Sequence, residues 1–284
     1  MAPPPLRRNR DFVLLQLGQG LSTLGSESSQ IAYPLLVLAL THSPAKAGIV
    51  GFARFAPYVL FALPAGVAVD RWNRKGLMLL ADTGRAVALA SLVAALMLGR
   101  VTFAQIVVVA FVEGALFALF NIGETGALRA VVPAVQLPRA AATEQSRIAT
   151  VQLSAGPLGG ALFGVARSLP FLVDALSYAF SLVSLLAMRT PFQEQRERTA
   201  TRAREEIAEG YRWLRTHPFL WTTQLLAAGS NVVYEGLFLT LIVVGRRQGL
   251  SSAAIGGVVA VFGVTLLAGS LVAPRLQRLL SMRM

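Results

Sequence analysis

Eight long apolar runs dominate the sequence, and each is 19 to 29 residues long. A helix needs about 20 predominantly apolar residues to cross the hydrocarbon core of a bilayer, whereas a core strand needs only about 4–8. Backbone in lipid must satisfy its own hydrogen bonds, and the alternation typical of a membrane barrel is absent from the sequence. The pattern therefore predicts an all-α polytopic membrane protein with eight transmembrane helices. The runs are Phe12–Leu40, Gly48–Val69, Gly76–Gly99, Val101–Gly123, Ile148–Ala166, Ser168–Met188, Phe219–Gly245 and Ser251–Ala273.

The composition excludes a soluble enzyme. Hydrophobic residues make up 55% of the chain and charged residues only 14%, whereas a soluble domain carries about 25% charged residues. The chain has no Cys and two His, so disulfides, thiolate metal sites and thiol catalysis are excluded and a His-based site is disfavoured. No Ser/His pair lies within the runs. We therefore expect a protein that is not an enzyme and that binds no metal and no cofactor.

Basic residues are distributed unevenly between the two sides of the predicted helices. The N-terminal tail and the connections after runs 2, 4, 6 and 8 carry 19 Lys and Arg, and the opposite connections carry five. Cytoplasmic connections are enriched in Lys and Arg, which predicts a cell-membrane protein with its N-terminus and the connection after run 6 in the cytoplasm. The net charge of +12 follows from this topology, so nucleic-acid binding is not predicted.

The connection after run 2 reads Gly66-Val-Ala-Val-Asp70-Arg71-Trp-Asn-Arg74-Lys75. Spacing and position closely resemble the signature G-x-x-x-D-R-x-x-R-[RK] between helices 2 and 3 of the major facilitator superfamily. Gly66 permits a close approach of helices, and Asp70 can meet a cation or a helix N-terminus. The basic residues that follow can pair with Asp70 or bind anionic headgroups. The resemblance implies a gating motif, and the alternative is an ordinary basic connection.

Run 5 contains a second motif, with Gly156, Pro157, Gly159 and Gly160 in close succession. It is similar to a fifth-helix motif found chiefly in exporters of the antiporter type. Proline removes one helical hydrogen bond, and glycines let a neighbouring helix approach, so this helix could bend during transport. The alternative is generic glycine-rich packing. Other segments, among them Asp82-Thr-Gly-Arg85, look like the branch that contains macrolide-efflux and enterobactin-export proteins.

The resemblance implies two six-helix halves, and this chain provides eight of the twelve helices. Residues 1–188 are predicted to form the complete N-terminal bundle, and residues 219–284 the first two helices of the C-terminal bundle. Residues 189–218 form a cytoplasmic linker that ends either in an amphipathic helix or in a solvated charged connector. A truncated product, a partial chain or a partner chain that supplies the missing helices could each explain the shortfall. The inner connection Glu124–Arg147 is predicted to be a long loop.

Charged residues inside the runs are candidates for function, because each costs at least about 2.5–3.5 kcal/mol in the membrane. In the family that the chain resembles, helices 1, 2, 4, 5, 7, 8, 10 and 11 line the central cavity. The transport-pathway candidates are Glu27, Arg54, Glu113 and Glu235. Internally hydrogen-bonded packing is the alternative for each of them. Structural roles are expected for the remaining intramembrane charges, Asp82, Arg85 and Asp174.

The sequence thus favours a secondary transporter that exports an amphipathic organic molecule or drug by alternating access. Its partners would be the lipid bilayer and a small organic substrate, and a proton gradient would be the energy source. Glu27 or Glu113 is the candidate for proton uptake or substrate pairing, whereas the Arg that related antiporters carry in helix 4 is absent from run 4. The alternative is a transport-incompetent membrane protein with a structural or partner-binding role.

Overall fold

The structure is a computed structural model that describes residues 5–192 and 203–261. Within these two ranges the regular secondary structure is entirely helical, which confirms the predicted fold class. Short 3-10 turns at Leu6–Arg8 and Ala134–Gln136 precede the first and fifth long helices. The α-helices are α1 (Arg10–Thr41), α2 (Pro44–Arg71), α3 (Arg74–Met97), α4 (Phe103–Val131), α5 (Leu137–Val165), α6 (Leu169–Ala187), α7 (Ala203–Thr216), α8 (Pro218–Arg247) and α9 (Ser252–Val261).

Side-chain caps determine where several helices begin. Asn9, Ser43, Asn73 and Thr102 each accept a hydrogen bond from a backbone amide three residues further on, at 3.1–3.3 Å. Such caps satisfy one of the first amides of a helix, which have no partner within it. The α1–α2, α2–α3 and α3–α4 boundaries therefore lie within a few residues of the predicted ones.

Six of the described helices are long and apolar enough to cross a membrane, namely α2 to α6 and α8. Helix α1 has the length, but the polar side chains along it, Gln16, Gln19 and Glu27 among them, lower its hydropathy. The eighth run is described only as far as Val261, and its remainder lies outside the described residues. The prediction of multiple spans is confirmed, and the spans assigned to α1 and α9 stay predictions.

The expected long loop from Glu124 to Arg147 is wrong. Helix α4 continues to Val131 and α5 begins at Leu137, so most of this segment is helical. An ion pair joins the two helices here, because Arg147 Nη2 of α5 lies 2.9 Å from Glu124 Oε1 of α4, with both side chains largely buried. Counting apolar residues could not reveal that two charged residues join neighbouring helices.

Glycines bring the helices of the N-terminal bundle close together. A Cβ atom at Gly18 or Gly25 of α1 would lie 2.9 Å or less from atoms of α6, and one at Gly114 of α4 would overlap the carbonyl oxygen of Arg54 in α2. Helix α3 packs against α4 and α6. Small residues at such contacts let membrane helices approach to backbone distance. The pairs α1–α6 and α2–α4 therefore bring polar side chains of different helices within hydrogen-bonding reach.

The linker contains a helix, α7 (Ala203–Thr216), which was one of the two alternatives predicted from the sequence. Helix α7 contacts α2 and the start of α8, and the Tyr211 ring lies edge-on to Trp221 with centroids 5.9 Å apart. Tyr211 and Trp213 are nevertheless about half exposed. Exposed aromatic side chains of this kind suit the membrane interface. The location of α7 on the membrane surface stays a prediction, and residues 193–202 lie outside the described part of the chain.

Candidate transport cavity

A cavity of about 600 Å³ lies between α1, α2, α4, α6 and α8. All four pathway candidates line it: Glu27 from α1, Arg54 from α2, Glu113 from α4 and Glu235 from α8. Three of them belong to the N-terminal bundle, and Glu235 belongs to the first helix after the linker. The structure thus brings together residues that are 208 positions apart in the sequence, from Glu27 to Glu235. Their roles in transport stay predictions.

Glu113 is almost completely enclosed, with 2% of its surface exposed. The Tyr33 hydroxyl of α1 donates to Glu113 Oε2, and the Tyr178 hydroxyl of α6 lies 3.3 Å from Oε1. The next residue, Gly114, is in backbone contact with Arg54, which presses this part of α4 against α2. A buried carboxyl needs hydrogen-bond donors, and two tyrosines provide them here.

The Arg54 guanidinium is held by contacts with α1. Its Nη2 donates to the Ser26 carbonyl oxygen at 3.2 Å, and its carbon lies 5.5 Å from the centre of the Tyr33 ring. A guanidinium over an aromatic face gains about 0.5–2 kcal/mol, more when water is excluded. Arg54 is therefore positioned by polar and aromatic contacts as well as by the nearby carboxyls.

Glu27 and Glu235 are less completely satisfied than Glu113. The Gln30 side-chain amide donates to Glu235 Oε1 at the long distance of 3.4 Å. Glu27 makes no hydrogen bond or ion pair with any residue of the described ranges. Both side chains are half-buried and face the cavity. These two carboxyls are thus the ones available to a bound molecule.

Aromatic side chains form much of the remaining wall. Phe52, Phe55 and Tyr58 of α2 line the cavity, together with Phe117 of α4 and Phe238 of α8. The Tyr58 and Phe117 rings pack on each other with centroids 5.8 Å apart. Acidic groups among aromatic faces make the cavity suitable for a molecule with apolar surface and a polar or charged group.

The three charges expected to be structural do not line this cavity. Arg85 Nη2 bonds to Asp82 Oδ1, one turn earlier in α3, and both side chains are buried. The Arg85 guanidinium also packs on the Tyr178 ring at 4.2 Å and on the Phe120 ring at 4.7 Å. Asp174 is fully enclosed between α6 and α1, where the Ser29 hydroxyl donates to Oδ2 at 2.6 Å. The ion pair expected from the i, i+3 spacing is present.

Sequence reasoning missed the uncharged side chains that connect these charges. Ser26, Ser29 and Tyr33 of α1 reach the carboxyls of α4 and α6, and Tyr178 of α6 joins them. A signal existed, because residues 22, 26, 29 and 33 follow the spacing of one helix face. Hydroxyl groups cost much less than charges to bury in a membrane, so the cost of burial does not single them out.

The residues of the gating motif lie at the end of α2 and the start of α3. Asp70 is largely exposed and lies 3.8 Å from Arg74, while Lys75 Nζ donates to the Met188 carbonyl oxygen at the end of α6 at 2.8 Å. Arg71 is exposed on the last turn of α2. No described atom lies within 4 Å of a Cβ built on Gly66. The expected close helix approach at Gly66 is therefore not seen in the described ranges, and the gating role stays a prediction.

Asp11 at the start of α1 binds the first residues of the linker, next to the Met188 carbonyl group that Lys75 contacts. Its Oδ2 accepts hydrogen bonds from the Thr190 hydroxyl at 2.6 Å and from the backbone amides of Thr190 and Arg189 at 2.7 and 3.1 Å. Asp11 precedes the apolar run of α1. Burial raises the pKa of this carboxyl, but the hydrogen bonds and the charge of Arg10 together hold the pKa below its ordinary value. The start of the linker is thus tied to α1 and α3.

Three glycines of the fifth-helix motif lie in backbone contacts. A Cβ on Gly159 would overlap the Ser28 carbonyl oxygen of α1, and one on Gly160 would overlap the Ser252 carbonyl oxygen of α9. A Cβ on Gly156 would lie 2.8 Å from the Gly256 carbonyl oxygen, also in α9. Helix α5 runs unbroken through Pro157. The motif therefore joins the N-terminal bundle directly to a helix beyond the linker.

Known proteins resemble this chain in sequence and in fold. The family model described as the Major Facilitator Superfamily matches residues 15–284. The chain belongs to this superfamily. It is similar to an uncharacterized MFS-type transporter, YfiS, of Bacillus subtilis (strain 168), with 26% identity over 234 residues that cover 80% of this chain and 54% of that relative. The family resemblance seen in the motifs is confirmed.

A solved structure shares the fold of this superfamily member. It is the crystal structure of a bacterial homolog to the human lysosomal transporter Spinster, in inward-facing and unoccupied conformation. The TM-score is 0.73 at 16% identity, with 98% of this chain and 64% of that chain covered. The chain thus spans about half the length of the curated relative and less than two thirds of the solved structure. Family and fold indicate a multi-pass membrane protein of this superfamily.

Proposed function

We propose that this superfamily member is a proton-coupled secondary transporter that exports amphipathic organic cations across the cell membrane. Its N-terminus and linker would face the cytoplasm, and a proton gradient would drive export. The observation that carries the proposal is a cavity in which three carboxyls and one guanidinium meet aromatic walls. The family supports transport, and the cavity supports this substrate class.

The charge balance of the cavity favours a cation. Arg54 can offset one of the three carboxyls, and Glu113 already receives two tyrosine hydroxyls. Glu27 and Glu235 then present the remaining negative charge to a ligand. Aromatic faces also attract cations, by about 0.5–2 kcal/mol each, whereas they repel anions. An anion of the same shape would meet repulsion from both features.

The position of the cavity supports alternating access. Its walls come from the N-terminal bundle and from α8, which belongs to the other side of the linker. Transporters of this kind bind substrate at the interface of two bundles that rock against each other. Gly156 and Gly160 of α5 contact α9 and so join the two bundles. The distribution of basic residues predicts that this contact lies towards the outer face of the membrane. Opening this contact would expose the cavity to that side.

Binding to the purified 284-residue chain tests the substrate class. Tetraphenylphosphonium and tetraphenylborate have nearly the same size and shape but opposite charge, so isothermal titration in lipid nanodiscs, with the heat measured for empty nanodiscs subtracted, compares the effect of charge on binding to the chain. We expect the cation to bind at least about tenfold more tightly, a difference of about 1.4 kcal/mol. Equal affinities for the two ions would refute the proposal.

Two variants locate the charge that the ligand meets. Glu27→Gln and Glu235→Gln each remove one available carboxyl, and each should weaken tetraphenylphosphonium binding by about tenfold. Glu209→Gln is the matched control, because Glu209 is exposed on α7 and away from the cavity. Unchanged affinity in the double variant of Glu27 and Glu235 would contradict the assignment. Efflux of the cation from proteoliposomes then separates transport from the alternative of binding without transport.

A further inference from the structure

A continuous line of hydrogen bonds connects Glu113, on the cavity wall, with Asp174, which is 0% exposed. The Tyr178 hydroxyl lies 3.3 Å from Glu113 Oε1 and 2.8 Å from Ser26 Oγ. Ser26 Oγ in turn lies 3.3 Å from Asp174 Oδ1. Two carboxyls on different helices are therefore linked by two hydroxyls and three contacts.

The number of protons in this line is informative. Each hydroxyl has one proton to donate, so Tyr178 and Ser26 together supply two protons for three contacts. If both carboxyls were ionised, each hydroxyl would donate outward to a carboxylate. The 2.8 Å contact between Tyr178 and Ser26 would then hold no proton, and two oxygen lone pairs would face each other. The Ser22 carbonyl oxygen, 3.0 Å from Ser26 Oγ, competes for the same proton and increases the deficit.

We propose that Glu113 and Asp174 hold one proton between them, and that it moves through Tyr178 and Ser26. In one arrangement the Asp174 carboxyl donates to Ser26, Ser26 to Tyr178, and Tyr178 to the Glu113 carboxylate. In the other, Glu113 donates to Tyr178, Tyr178 to Ser26, and Ser26 to the Asp174 carboxylate. Conversion breaks three O–H bonds and forms three, so one positive charge passes from one carboxyl to the other with no oxidation or reduction.

The surroundings of the line balance its charge. Arg54 of α2 and Tyr33 of α1 face the Glu113 end, and Arg85 of α3, paired with Asp82, packs on Tyr178. Two guanidiniums then face three carboxyls, counting Asp82, and one shared proton makes this group neutral. A neutral group costs least in a low-dielectric interior.

The Asp174 end is closed, so that the hydroxyls are its route to the cavity. Ser29 and Ser177 donate to the Asp174 carboxyl from α1 and α6, and Gly25 leaves the space that the carboxyl fills. A Cβ on Gly25 would lie 2.9 Å from Asp174 Oδ1. Glu235 of α8 lines the cavity, as Glu113 does, whereas Asp174 does not. Asp174 is thus a second proton-holding group behind the cavity wall. Its use in coupling rests on the transport function proposed above.

Infrared spectroscopy of the chain in lipid nanodiscs tests the line without any substrate. A protonated buried carboxyl gives a resolved C=O band, and the band shifts when its proton exchanges for deuterium. We expect a band that the variant Asp174→Asn removes or diminishes, and rapid exchange of this band in the unaltered protein. In Tyr178→Phe the exchange should slow by at least about tenfold, because protons must then await local opening of the packed helices.

The control is Tyr58→Phe, which removes a hydroxyl from the same cavity wall but not from the line. Ser26→Ala removes the second hydroxyl with a smaller change in volume, and it decides the test if Tyr178→Phe does not fold. A band that is insensitive to Asp174→Asn, or exchange in Tyr178→Phe and Ser26→Ala as fast as in Tyr58→Phe, would overturn the proposal. If the unaltered chain binds no tetraphenylphosphonium but exchange is still slowed in Tyr178→Phe, the transport proposal is refuted and the proton line is supported.

Discussion

The contact between α5 and α9 gives the sharpest prediction for mechanism. In the variant Gly160→Ala, the added Cβ would overlap the Ser252 carbonyl oxygen and lie 3.1 Å from the Gly256 Cα. Both neighbours are backbone atoms, so the clash is relieved only if the two helices separate. Overpacking of this kind costs about 1–3 kcal/mol, which corresponds to a shift of about 5- to 150-fold in a two-state equilibrium. We expect the population in which α5 and α9 are apart to rise by that factor.

Spin labels can measure this separation directly, because the chain contains no Cys and two can be introduced without background. Val165 at the end of α5 and Leu250 before α9 are exposed at 80% and 38% and suit labelling. Pulsed electron paramagnetic resonance should show a longer distance between the two labels in Gly160→Ala than in the unaltered protein. Gly164→Ala is the matched control one turn away, where no described atom lies within 4 Å of the new Cβ. Identical distance distributions in the two variants would show that the contact does not hold the bundles together.

Two further predictions concern charged residues of the N-terminal bundle. The variant Asp11→Asn weakens hydrogen bonds between a charged carboxylate and Thr190, which are worth about 1.5–3 kcal/mol. The pKa of Asp11 is lowered in the folded state. The stabilisation is therefore fully present above the ordinary carboxyl pKa, and it disappears as the pH falls through the pKa of the folded state. Denaturation of both proteins in detergent should therefore show a difference at neutral pH that shrinks in acid, and a difference independent of pH would contradict the assignment. Arg85→Gln leaves Asp82 buried without its partner and should cost about 3–5 kcal/mol of unfolding free energy. The double variant Asp82→Asn/Arg85→Gln should recover part of that loss, and strictly additive effects in the cycle would show that the pair is not coupled.

The overall fold was largely predictable from the sequence, because lipid imposes a simple requirement on it. A run of about 20 apolar residues has few alternatives to a transmembrane helix. The helix ends were less predictable, since they depend on contacts between distant residues. Arg147 and Glu124 appear in the sequence as polar residues of a loop, whereas in the structure they pair between α4 and α5.

The cavity was predictable in part, through the cost of charge in a membrane. Glu27, Arg54, Glu113 and Glu235 stand out because each interrupts an apolar run, and the structure places all four around one space. The tyrosines and serines that bind them do not stand out, because a hydroxyl costs much less to bury than a charge. Which hydroxyl meets which carboxyl depends on the packing of α1 on α6.

Gly114 of α4 meets the backbone of Arg54, so that α2 and α4 pack in direct contact within the N-terminal bundle. Glu27, Arg54 and Glu113 all lie on helices of this bundle, α1, α2 and α4. Glu235 alone is carried by a helix that follows the linker, and its long hydrogen bond to Gln30 is a polar contact that crosses between the two sides. Any rocking of the bundles therefore changes the distance between the Glu27 and Glu235 carboxyls. The affinity for a bound cation then depends directly on how far apart the two bundles are.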